Sequence, residues 1–172
     1  MTKTLFFSNQ GLSPLMLGIE LEVLQQEIES GNDLSVLRCA NQLNTCFFNP
    51  CHNLFACSIC HTCTTRFQSI LGINKSQISD LQPIVTKFEL PSIQDMDDIY
   101  PIEYKGVNIG RGIVSSLIST WRDYNLTDKK NALLYVEQMA ITCANVIENM
   151  KAKIEAEKPD RVFLFNGRFA EL

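Results

Sequence analysis

The sequence predicts a three-layer α/β sandwich with a mainly parallel sheet and a Cys-rich loop insertion. Three observations carry that expectation. An apolar run at Lys3–Ser8 is followed by a polar turn, a capped helical stretch and a second apolar run at Asp33–Cys39, which is the order of a βαβ unit. A long amphipathic stretch near 128–157 leads into a further apolar run at Arg161–Phe165. The chain has 172 residues, which suits one domain spanning 1–172.

Each element has local grounds. Leu5-Phe6-Phe7 is the centre of the first strand. In the helix expected over 14–30, Ser13 can cap, Pro14 suits the first position and Gly31 suits the stop. Its apolar residues Leu17, Leu21, Leu24 and Ile28 keep helical spacing. Leu34, Val36 and Leu37 make the second strand, and Ile84–Leu90, closed by Pro91, reads as a third. A helical run is expected from Ile113 to Tyr124. Thr127 is the expected cap of the last helix, and Pro159 ends it. Phe169–Leu172 reads as a first helical turn after the last strand, the pattern expected of a piece of a longer design.

Composition narrows the function classes. An apolar share of 45% with 20% charged residues excludes wholesale disorder. Fifteen basic residues against nineteen acidic ones give a net charge of −4, which speaks against a nucleic-acid binder. The N-terminal apolar stretch is too short for a secretory signal, and no run of about 20 apolar residues is present to span a membrane. A cytoplasmic protein is expected, with peripheral attachment to an inner membrane left open.

Four segments can carry chemistry. Asn9-Gln10-Gly11 forms the turn after the first strand, where α/β sheets place ligands and where a helix N-terminus offers free N–H groups. It reads as a pocket wall or as a simple capped turn. Glu20 and Glu22 lie on the following helix and read either as cleft residues or as a solvated face. Gly110-Arg111-Gly112 before a helix can hold an anion or serve as a packing turn. Asn166-Gly167-Arg168 follows an apolar strand, and its Arg can contact a carboxylate, a phosphate or sugar hydroxyls.

The stretch 39–65 contains no Asp, Glu, Lys or Arg, yet six of the seven cysteines lie there. It is expected to be an uncharged loop, with Cys57, Cys60 and Cys63 close together in that loop or at a helix start. Together with Cys51 they could supply four thiolates to zinc or to an iron–sulfur cluster, and His52 and His61 are spare imidazoles. The same residues also read as free thiols or, less readily, as a redox pair.

The order of these segments resembles a known family. Ile19-Glu20-Leu21-Glu22, the stretch from Cys46 through Asn49-Pro50 to Cys57-Ser58-Ile59-Cys60, Tyr104-Lys105-Gly106 to Ser115-Ser116, and Phe165-Asn166-Gly167-Arg168 are similar to the N-terminal region of bacterial capsule and lipopolysaccharide biosynthesis proteins. Those are glycosyltransferases built of two Rossmann-like domains (the GT-B arrangement). The resemblance implies an acceptor-side half that binds a sugar acceptor, with the nucleotide-sugar donor held by a second domain or a partner chain. It also implies a carboxylate base, for which Glu20 is the candidate.

Overall fold

The computed structural model describes residues 1–122 and 124–165. Ten elements follow in chain order. They are β1 (Lys3–Ser8), α1 (Pro14–Glu29), β2 (Asp33–Arg38), α2 (Leu54–Ile70), β3 (Ile78–Asp80), β4 (Glu103–Tyr104), β5 (Val107–Asn108), α3 (Gly110–Trp121), α4 (Lys129–Glu157) and β6 (Arg161–Leu164). The four-stranded sheet has the order β3-β2-β1-β6 and is parallel throughout. Flanked by helices, it is a Rossmann-like α/β sheet.

The chain divides into two compact units. The first comprises Met1–Gln42, Asn53–Gln82 and Asn149–Phe165, and the second includes Leu43–His52 and Pro83–Glu148.

In the first unit, α1 lies on the even-numbered side of β1. Thr4 donates its hydroxyl to Glu27 at 2.7 Å. Phe6 and Leu24 share one buried cluster with Leu34 and Val36. Ser8 stands beside Glu20. Residues at i, i+2 and i+4 of the strand thus meet helix positions three and four apart, as the two periodicities require. Ser13 caps α1, accepting the Met16 N–H at 3.4 Å.

In the second unit, α3 and the first part of α4 bury Ile113, Val114 and Leu117 against Tyr135, Val136, Met139 and Ala140. Asp128, one residue later than the expected Thr127, receives the Asn131 N–H at 3.4 Å and the Ala132 N–H at 2.9 Å.

Two expectations need correction. Ile84–Leu90 is not a strand. At Val85 a side chain satisfies the backbone instead. Asn145 accepts the Val85 N–H at 2.7 Å and donates to the Val85 carbonyl at 2.8 Å. The stretch 39–65 is loop only as far as Asn53, because Asn53 caps α2 by accepting the N–H groups of Phe55 and Ala56.

Candidate functional site: the carboxyl edge of the sheet

The strand order fixes where a ligand crevice can form. From β1 the chain proceeds through α1 to β2 and on to β3, while β6 returns on the opposite side of β1. The connections therefore change direction between β1 and β6. Open α/β sheets bind ligands at such a switch point, beyond the carboxyl ends of the strands. Phe7 pairs with Leu164 there, so both strands end at one edge. Asn166, Gly167 and Arg168 lie outside the described residues.

The turn after β1 is buried. Asn9 is 6% exposed and Gln10 is fully enclosed, with its amide nitrogen donating to the Asn9 side-chain oxygen. Gly11 packs against α2. A Cβ on it would stand 2.6 Å from the Thr64 hydroxyl oxygen and would also meet the Cys60 carbonyl oxygen. Only glycine permits that approach. The turn is thereby locked onto α2, and Leu12 and Ser13 are its partly exposed residues.

Below the turn lies a buried polar group. Ser8 accepts a hydrogen bond from the Gln68 amide at 3.4 Å. Glu20 is 2% exposed, and neither carboxyl oxygen has a hydrogen-bond partner. Burial pushes its carboxyl up to about 7, and the neighbouring Ser8 hydroxyl, without bonding geometry to either oxygen, pulls weakly the other way. The side-chain oxygens of Gln10 and Gln68 and Nδ1 of His61 are likewise buried without partners. Buried polar atoms are normally paired, so this concentration at one strand end marks a specialised place. It is the environment that holds a carboxyl near neutrality, where it can take or give a proton.

Between β1 and β2 the edge is nearly closed. A cavity of about 10 Å³ lies among Asn9, Cys39, Cys60 and His61, room for one water molecule at most. Arg38 is committed, with Nε on Asp80 at 2.8 Å, a second nitrogen on the same oxygen at 2.7 Å, and a third on the Thr65 hydroxyl at 2.9 Å.

The remaining expected residues lie elsewhere. Gly110 and Arg111 begin α3 in the second unit. Gly110 sits under the Tyr100 carbonyl, where a Cβ would come within 2.6 Å of the oxygen, so its role there is close packing. Arg111 lines a surface depression together with Asp97 and Glu103, which offset its charge toward any anion.

Cys57, Cys60 and Cys63 occupy successive i, i+3 positions of α2, while Cys51 belongs to the second unit. Cys51 is exposed, and Cys57, Cys60 and Cys63 are partly buried. Among the described residues no three Cys, His, Asp or Glu side chains come together as a metal site would require. Burial, with Cys39 nearby, pushes the Cys60 thiol up to about 11, opposite to the thiolate that zinc or an iron–sulfur cluster demands. The donor set does not fit either group. Among the described residues no helix is long and apolar enough to cross a membrane.

No protein-family model, curated protein or solved structure matches this chain.

Proposed function

We propose that this chain is the acceptor-side half of a sugar-transferring protein of surface-polysaccharide assembly, taking the acceptor at the carboxyl edge of its parallel sheet. The observation that carries the reading is the Glu20 carboxyl, buried and without partners beneath the β1 turn, beside the switch point between β1 and β6. Glycosyl transfer joins an acceptor hydroxyl to the anomeric carbon of a donor sugar. The C–O bond to the donor phosphate breaks, and the hydroxyl proton must go to a base. A carboxyl near pH 7 suits that task. In this reading Glu20, beside Ser8 under the β1 turn, is the base that takes the proton. The donor comes from a second domain or a partner chain.

The test is NMR of the isotope-labelled chain titrated with oligosaccharide repeats of the host's surface polysaccharide. Amide shifts grouped at Ser8–Ser13 and the end of β6 are expected. Titration with no shifts there would overturn the assignment.

A further inference from the structure

The second unit contains a cavity of about 420 Å³, within the range of small-molecule pockets. Trp121, at the end of α3, is 40% exposed on its wall, and Tyr135 of α4 stands edge-on to it with ring centroids 6.2 Å apart. Asn44, Pro50, Cys51 and His52 of the 43–52 segment also line the cavity, and that segment is bolted to α4. Thr142 accepts the Thr45 N–H at 3.2 Å and donates to the Thr45 carbonyl at 3.1 Å. Asn44 donates to the Gln138 side-chain oxygen at 3.1 Å. His52 borders the space with φ at +47°, a strained backbone of the kind that concentrates at binding sites.

The chemistry of the lining selects a ligand. Asn44 and Gln138 spend one amide atom each on their mutual bond, which leaves an acceptor on Asn44 and a donor on Gln138. Asn131 gives its amide N–H to Asp128 and keeps its oxygen. The indole offers an apolar face and one N–H donor. Among the described residues no Lys, Arg, Asp or Glu lines the cavity, so those residues offer a phosphate or a carboxylate no neutralising charge. An aromatic face flanked by uncharged amides is complementary to a ring with C–H groups on one side and hydroxyls at its rim.

We infer that this cavity is a binding site for a neutral pyranose ring, stacked on Trp121 and held at its hydroxyls by Asn44, Asn131 and Gln138. It goes beyond the sheet-edge reading and does not depend on it, because every residue involved belongs to the second unit.

Trp121 is the sole tryptophan, so its emission reports on this cavity alone. The intact chain is titrated with methyl glycosides of glucose, galactose, N-acetylglucosamine and N-acetylgalactosamine, and with glucose 1-phosphate. A saturable emission change is expected with at least one neutral glycoside and none with the phosphate. Asn131→Ala and Gln138→Ala should each weaken that binding about tenfold. Asn131 is exposed, so its variant keeps the fold and decides the matter if Gln138→Ala does not fold. No saturable change with any neutral glycoside up to about 100 mM, equal response to the phosphate, or undiminished binding by Asn131→Ala would each overturn the inference. Failure here leaves the amide shifts at Ser8–Ser13 untouched, so the two readings fail separately.

Discussion

Asn145 closes both backbone groups of Val85 with one side chain, accepting at 2.7 Å and donating at 2.8 Å across 60 residues of sequence. An extended segment is thereby held without a neighbouring strand. Asn149, one helical turn further on, does the same for Gln82 at 2.8 Å in both directions.

Replacing Asn145 with Ala strands a backbone N–H and a backbone carbonyl at once. Each orphaned group is part-buried and costs up to about 1–3 kcal/mol. The variant should lose about 3 kcal/mol, read as a lower urea midpoint at unchanged slope. A loss under about 1 kcal/mol would show that the bracket is dispensable.

Glu20 makes stability depend on pH. Its carboxyl titrates at about 7 in the fold against 4.5 as the ordinary value. Below pH 4.5 both states are protonated and the group contributes nothing. As pH rises toward 7 the unfolded state ionises first, so stability falls, by about 3 kcal/mol in all, and then levels off. Glu20→Gln should flatten that slope and raise stability at pH 8. Parallel denaturation curves at pH 4, 6 and 8 check both points.

Gly11 and Gly18 should respond in opposite directions. Gly11→Ala drives a methyl group into the Cys60 carbonyl and the Thr64 hydroxyl, costing about 1–3 kcal/mol. Gly18 has open space around its would-be Cβ inside α1, so Gly18→Ala should gain about 0.5–1 kcal/mol. Thermal melts of the two variants decide it, and equal shifts would contradict the packing of the β1 turn on α2.

Thiol reactivity should follow environment. Cys51 is exposed, whereas burial holds Cys60 protonated, with its thiol near 11. Iodoacetamide at pH 8 should label Cys51 well before Cys60, as followed by peptide mass spectrometry. Early labelling of Cys60 would refute its burial.

Much of the frame can be read from residues alone. β1, α1, β2, α4 and β6 each combine an apolar pattern with a local start or stop signal, and such signals act within a few residues. Val85 deceived because its partner, Asn145, is distant, and a lone apolar run does not say what satisfies its backbone. The cysteine spacing left the local structure open for a different reason. Separations of three suit a metal knuckle and a helix face equally, and the Asn53 cap, a signal present in the sequence, settles the choice. Glu20 stood out by position, but its burial beside Ser8 shows only in the fold. Trp121 carried no sequence signal as a site residue, because only folding brings the 43–52 segment to it.

The pairing of β1 with β6 also sets a schedule for synthesis. Lys3 donates its N–H to the Asp160 carboxylate, 157 residues away, and Leu5, Phe6 and Phe7 each face a strand position equally far along the chain. At roughly 5–20 residues per second, the nascent chain carries its most apolar strand with one side unprotected for about 10–30 s. During that interval β1 is an adhesive edge, open to pairing with any neighbouring chain on the same polysome. Slow translation or stalling before Arg161 therefore favours aggregation.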